Sequence, residues 1–174
     1  MKESGIKLTM DDLARRLGIS KRTLYEHFSS KAEILDALIE ETFSEVDNKT
    51  EQILNNSNLT LVEKIKGVIN ALPTHKELYD RVILEQIKRS YPEQWSKVSK
   101  IFTEDWNELQ ALIEQGIHEG VISNKNATLI VKLIREAIQS VHDQQFYMQN
   151  NISTTEAVMQ ITDIILFGLI SKEK

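Results

Sequence analysis

The chain has 174 residues, a net charge of −5 and no cysteine, which excludes disulfides, thiolate nucleophiles and zinc–thiolate sites. Its hydrophobic fraction of 41% suits one compact domain, or a small domain joined to a larger one. No apolar run approaches the roughly 18 residues that cross a bilayer, and residues 1–12 lack the apolar segment of a signal peptide. These features predict a cytoplasmic protein.

Charge is distributed unevenly along the chain. Residues 1–31 hold seven lysines and arginines against four acids, whereas the remainder holds 14 against 22. A basic end on an acidic chain is typical of a protein that meets a polyanion through one part only.

The turn-forming residues are few, with six glycines and two prolines, which favours long helices with short connections. No segment alternates apolar and polar residues for long enough to predict a strand, so the predicted fold class is all-α. The Ser/Thr-x-x-Asp/Glu spacing of a capping box marks helix starts at Thr9, Ser30, Thr60 and Ser153. We predict helices over residues 10–17, 21–28, 31–55, 60–71, 74–89, 92–118, 126–149 and 154–172.

The first two predicted helices meet at a single glycine. An apolar stripe lies on one face of the first helix, at Met10, Leu13, Ala14 and Leu17. Gly18 can take the left-handed conformation of a tight turn, and Ser20 can cap the second helix. The small Ala14 allows the helices to cross closely, and Leu24 fills the angle between them. This pattern predicts a helix-turn-helix.

The exposed start of the second helix carries hydrogen-bond donors and cations, as a helix in the major groove requires. Its third position is Thr23, where the other short caps have an acid that would repel a phosphate. Lys31 opens the next helix, where the helix dipole disfavours a cation unless a phosphate is bound beside it. The sequence therefore predicts DNA binding, although a basic, solvated helix pair would show some of the same features.

The segment "TMDDLARRLGISKRTLYEHFSSKAEILDALIEE" (9–41) closely resembles the N-terminal signature of the TetR family of transcriptional repressors. The resemblance covers about a fifth of the chain; the remainder matches the family only in helix number and loose features. It implies a homodimer with one helix-turn-helix per subunit and an all-helical C-terminal part that binds a small-molecule effector.

The resemblance also implies roles for individual residues. Thr9, Tyr25, His27 and Lys31 would contact backbone phosphates, whereas Lys21, Arg22 and Thr23 would lie nearest the base edges. The position of Arg22 is often small in the family, and arginine favours the O6/N7 edge of guanine, although it can also grip a phosphate. The predicted DNA-binding residues are Thr9, Ser20, Lys21, Arg22, Thr23, Tyr25, His27 and Lys31.

Family members normally have a full helix ahead of this signature, whereas eight residues precede Thr9 here. One expectation is that Met1 is internal to a longer natural chain; another is that the chain has lost its first helix. In either case we expect a looser helix pair and a lower affinity for DNA.

The C-terminal sequence predicts a dimer. The last helix is apolar almost all round from Ile161 to Ile170, so it must be buried on two sides. With the stripe on the helix before it, a partner would form a four-helix interface, in which we place Ile130, Ile134, Ile138, Val141, Ile161, Ile165, Phe167 and Leu169. A two-fold dimer would set its reading heads about 34 Å apart or somewhat more. The last helix could instead be the central helix of a monomer.

Aromatic and imidazole side chains in the C-terminal part are candidates for an effector cavity, although an aromatic side chain in such a position is more often part of an ordinary core. The weakly predicted effector residues are Trp106, His118, His142 and Phe146. His118 does not begin a zinc motif, because Ile122 stands four residues later. We expect no cofactor, metal site or catalytic activity.

Together these features predict a DNA-binding domain over residues 1–47 and a helical effector-binding and dimerisation domain over 48–174. The predicted protein is a ligand-responsive transcriptional regulator, specifically a repressor, that binds a pseudo-palindromic operator as a homodimer. Two alternatives stay open: a DNA-silent helical dimer that acts as a ligand-binding or protein-adaptor module, and an enzyme with a helical active site.

Overall fold

A computed structural model describes residues 8–74, 81–104, 106–142 and 144–169, and within these ranges it contains helices and turns but no β-sheet. The all-α fold class is therefore confirmed. The helices are α1 (Met10–Leu17), α2 (Lys21–His27), α3 (Lys31–Asn55), α4 (Leu61–Ile69), α5 (Arg81–Ser90), α6 (Pro92–Glu104), α7 (Asn107–His118), α8 (Ala127–Gln139), α9 (Gln144–Gln149) and α10 (Thr154–Leu169), with a 3₁₀ turn at Ser140–His142.

Capping boxes begin α1 and α4 as the sequence predicts. At α1 the Thr9 hydroxyl accepts from the Asp12 N–H at 3.2 Å, and the Asp12 carboxylate accepts from the Thr9 N–H at 3.0 Å. These bonds lower the pKa of Asp12, because they stabilise its ionised form. At α3 half of the predicted box is present: the Ser30 hydroxyl accepts from the Glu33 N–H at 3.2 Å, whereas the Glu33 carboxylate accepts from the Ser29 N–H at 2.6 Å instead of that of Ser30.

Two predicted helices are interrupted in the structure. The helix expected over 92–118 is divided into α6 and α7 at Trp106, which leaves the helical region with φ −123° and ψ 17°. The helix expected over 126–149 is divided into α8 and α9 by the 3₁₀ turn, where the Ser140 hydroxyl donates to the Ala137 carbonyl. Of the helices expected over 74–89 and 154–172, residues 75–80 and 170–172 lie outside the described ranges.

The chain divides into two compact units: Met1–Ser44 with Thr74–Phe102, and Glu45–Pro73 with Thr103–Lys174. The first unit contains α1, α2, the first part of α3, α5 and α6. Its core lies between α3, α5 and α6 and is formed by Leu35, Ile39, Phe43, Leu84, Ile87 and Val98. The functional division at residue 47 stays a prediction.

The second unit has its core between α4, α7, α8 and α10, with Ile65, Leu109, Ile113, Ile134 and Leu166 almost completely buried. Close packing continues at the end of α7, where a Cβ atom on Gly116 would stand 2.7 Å from Ile122 Cδ1. Among the described helices, none is long and apolar enough to cross a bilayer.

Candidate DNA-binding surface

The turn between α1 and α2 is built by Gly18. This residue ends α1 with φ 68° and ψ 23°, a left-handed conformation that costs a non-glycine residue energy. The chain then re-enters a helix at Ser20, whose hydroxyl accepts from the Thr23 N–H at 3.0 Å. Ala14 and Leu24 are each only 3% exposed, so they form the buried contact between the two helices. The predicted helix-turn-helix is confirmed.

One residue of the apolar stripe predicted on α1, Leu17, is exposed instead of buried. Leu17 is 62% exposed, although its spacing predicts the same face as Ala14. Leu17 is the last residue of α1, directly before the turn at Gly18.

The side chains predicted to meet DNA are mostly at the surface. The side chain of Arg22 is 89% exposed, against 59% for that of Lys21. Thr23 and Lys31 are partly buried, and the others are exposed: Thr9, Ser20, Lys21, Tyr25 and His27. The exposed residues on α2 therefore include the two cations predicted to read bases and the phenol and imidazole predicted to contact phosphates.

Hydroxyl groups of this surface are already engaged in capping. Thr9 donates its hydroxyl proton to the Asp12 carboxylate at 2.6 Å. The hydroxyls of Ser20 and Thr23 lie 2.8 Å apart. These hydrogen bonds fix the starts of α1 and α2.

Both basic residues at the start of α2 have acidic partners that the sequence reasoning missed. Lys21 Nζ stands 2.7 Å from Asp11 Oδ1, and this carboxylate raises the pKa of Lys21. Arg22 Nε donates to Glu26 at 3.0 Å. The four-residue spacing of Arg22 and Glu26 is typical of an ion pair along a helix, so this partner could have been predicted from the sequence. Asp11 lies ten positions before Lys21, and only the folded turn brings these two together.

Lys31 begins α3 and differs from the other cations. Its ammonium group lies 5.9 Å from the centroid of the Tyr91 ring, within the range of a cation–π contact. Partial burial lowers its pKa, because desolvation disfavours the charged form. No carboxylate of the described residues pairs with it, so an anion at this position would meet a cation that has no competing acidic partner there.

Gly18 and Gly120 offer a matched pair of substitutions. Both have positive φ, 68° and 74°, and a Cβ atom at either would meet nothing within 4 Å. Alanine should therefore cost each site a similar strain of roughly 1–2 kcal/mol in unfolding free energy. We expect only Gly18→Ala to weaken DNA binding, because only this turn sets the angle between α1 and α2. Thermal unfolding and DNA titration of both variants measure the two effects; equal losses of DNA affinity would contradict the assignment.

The weakly predicted effector residues that the structure describes lie in different environments. Trp106 packs against the core of the second unit, whereas His118 and Phe146 are exposed. The side chain of His142 lies outside the described part of the structure.

The second unit has an open groove of about 470 Å³ that the sequence did not predict. Its lining includes Lys49, Gln52, Ile53, Asn56, Leu59 and Asn70. Lys49 spans one part of it, donating to the Leu72 carbonyl at 2.7 Å. Asn70 Oδ1 is buried without a hydrogen-bond partner among the described residues.

The residues predicted for a dimer interface occupy different environments. Ile130, Ile134 and Val141 are buried within the subunit itself, so they have almost no surface left for a partner. Ile138, Ile161 and Ile165 are partly buried, and the side chain of Leu169 lies outside the described part.

The large apolar side chains exposed on α8 and α10 are instead Leu129, Leu133, Met159, Ile164 and Phe167. Phe167 is the one predicted interface residue among them. On α8, Ile130 and Ile134 of the predicted interface lie on the buried face of the helix, whereas Leu129 and Leu133 lie on its exposed face.

Comparison with known proteins agrees with this architecture. A family model for bacterial regulatory proteins of the tetR family matches residues 1–38. The HTH-type transcriptional regulator YvaF of Bacillus subtilis (strain 168) is 30% identical over 174 residues, which covers 100% of this chain and 92% of YvaF.

Solved structures with the same fold are less similar in sequence. The ketosteroid transcriptional regulator KstR2 of Mycobacterium tuberculosis has a TM-score of 0.73 at 22% identity, covering 98% of this chain and 89% of KstR2. FadR from Bacillus subtilis, solved in complex with stearoyl-CoA, has a TM-score of 0.65 at 20% identity, covering 95% and 91% of the two chains. The helix-turn-helix, the family model and the full-length similarity to YvaF together show that this chain belongs to the TetR family of bacterial transcriptional regulators.

Proposed function

We propose that this regulator binds an operator in double-stranded DNA through α2 and that a small-molecule effector controls the binding. The observation that carries the proposal is the α1–α2 pair itself. Ala14 and Leu24 are buried at the contact, while Lys21, Arg22, Tyr25 and His27 stand exposed along α2. A helix held in this way, with donors and cations outward, suits the major groove.

The proposed DNA contacts fall into two classes, one to base edges and one to backbone phosphates. The side chain of Arg22 is 89% exposed, and its guanidinium suits the O6/N7 edge of guanine. Tyr25, His27 and Lys31 suit backbone phosphates, which position a protein on the duplex without reading its sequence. The environment of Lys31 favours a phosphate contact, because its ammonium group is partly desolvated and has no carboxylate partner within the described residues.

We assign dimerisation to the exposed apolar side chains of α8 and α10. Ile164 and Phe167, one helical turn apart on α10, are 72% and 77% exposed, and Leu129 and Leu133 are similarly placed on α8. Exposed apolar side chains concentrated on two neighbouring helices are typical of a surface that a partner covers. A second copy of the chain, related by a two-fold axis, would bury the same residues on both sides.

We assign effector binding to the second unit. We propose that DNA binding represses transcription and that the protein acts in the cytoplasm. The stearoyl-CoA complex of FadR supports the idea that a fold of this kind holds a small molecule. The proposed mechanism is a population shift: the effector binds best to a dimer whose two α2 helices no longer match one operator. No catalytic activity is assigned to the chain.

Selection of DNA from a random-sequence duplex pool tests this function. We expect the full-length protein to enrich a pseudo-palindrome whose two halves are about one helical turn or more apart, because a two-fold dimer presents the same helix twice. Enrichment of no sequence would contradict the proposal and favour a DNA-silent ligand-binding or adaptor protein.

A further inference from the structure

Arg22 and Glu26 form an ion pair on the outer side of α2. Arg22 Nε donates to Glu26 Oε1 at 3.0 Å, and the two side chains are 89% and 58% exposed. Residues four apart lie one above the other on a helix, so both groups belong to the surface that would meet DNA. The pair uses only Nε, and the two Nη groups of Arg22 have no partner within the described part of the chain.

This geometry leaves free the end of the guanidinium that recognises guanine. Arginine binds the O6 and N7 atoms of guanine through two N–H donors in a planar fork. An arginine that is already held at Nε loses less conformational freedom when the fork engages. We propose that Glu26 is a positioning residue for sequence specificity: it holds Nε of Arg22, so that the two Nη groups meet the edge of a guanine. The inference rests on the proposed function of α2.

We expect Glu26 to have opposite effects on the binding of two kinds of DNA. On the operator, its carboxylate orients Arg22 and favours one base. On unrelated DNA, where phosphate contacts supply the affinity, the same negative charge opposes binding. Removal of Glu26 should therefore weaken the preference for one base pair while strengthening binding to unrelated duplexes. A pair that served only to stabilise α2 would change the unfolding temperature and leave the base preference unaltered.

The experiment uses the full chain and three DNA probes. These are the duplex that the wild-type protein selects from a random pool, its single-base-pair variants, and a scrambled duplex of the same composition. Binding is compared for the wild type, Glu26→Ala, Arg22→Ala and the double variant. Glu41→Ala is the matched control, because it removes an exposed acid of the same unit for which the structure shows no pairing with a described cation.

We expect Arg22→Ala to abolish the preference for guanine at one position of each half-site. Glu26→Ala should reduce discrimination at that same position by about two- to fivefold, the range of exposed ion pairs, and should bind the scrambled duplex more tightly than the wild type. In the Arg22→Ala background, Glu26→Ala should not change base preference further. Glu41→Ala should keep the wild-type preference.

Several results would overturn the inference. One is an unchanged base preference in Glu26→Ala, and another is an equal change with and without Arg22. A third is a preference that Arg22→Ala leaves intact, which would remove arginine from base recognition. If the wild type selected no sequence at all, both the proposed function and the inference would be wrong. If it selected a sequence and Glu26→Ala kept the same base preference, only the inference would be wrong.

Discussion

Phe167→Glu, and separately Ile164→Glu, should reduce operator affinity by about two to four orders of magnitude, because each converts two linked half-site contacts into independent ones. Both side chains are more than two-thirds exposed in the subunit, at 77% and 72%. Their substitution should therefore leave the subunit's own unfolding free energy within about 0.5 kcal/mol of the wild type. A glutamate at the centre of an apolar interface is instead an unpaired buried charge, which strongly disfavours association.

Sedimentation and DNA titration measure the two consequences together. We expect the glutamate variants to be folded monomers that bind operator weakly. Asn124→Glu is the matched control, because it adds the same charge to an exposed position of the second unit outside α8 and α10, and it should remain a dimer of full affinity. Folded glutamate variants that still dimerise would place the interface elsewhere.

The second large effect concerns the division of contacts on α2. Arg22→Ala should cost about 1–3 kcal/mol of discrimination at one base pair per half-site, the worth of a bidentate base contact. Tyr25→Phe, which removes only the phenolic hydroxyl, should weaken binding to all duplexes alike, because phosphate contacts carry no sequence information. Competition titrations against single-base-pair variants separate the two patterns. A uniform decrease in both variants would mean that Arg22 contacts a phosphate instead of a base.

The helix-turn-helix was predictable because its determinants are local. Gly18, Ser20, Ala14 and Leu24 lie within eleven residues of one another, and each acts through a backbone conformation, a cap or a neighbouring contact. The same holds for the capping boxes at Thr9 and Thr60. Local rules of this kind depend little on the rest of the fold, so sequence reasoning reaches them.

The C-terminal features depend on tertiary contacts, and there the sequence was a weaker guide. The helix α8 has apolar residues on adjacent faces, so periodicity alone did not show that Ile130 and Ile134 face the core while Leu129 and Leu133 are exposed. The break at Trp106 has no glycine or proline to mark it. The pairing of Lys21 with Asp11 likewise follows from the turn at Gly18, which brings together residues that are distant in sequence.

The most direct test of the account is the salt dependence of binding, measured by fluorescence anisotropy with the selected duplex and the full-length protein. We predict that the logarithm of the binding constant falls linearly with the logarithm of the salt concentration. The slope of this line should be about −0.9 for each phosphate that the protein neutralises. Lys31→Ala should reduce the slope by about one for each phosphate that Lys31 neutralises in the wild type. An affinity that is unchanged between low and high salt would contradict the claim that the α1–α2 surface binds DNA, and an unchanged slope in Lys31→Ala would remove Lys31 from the phosphate contacts.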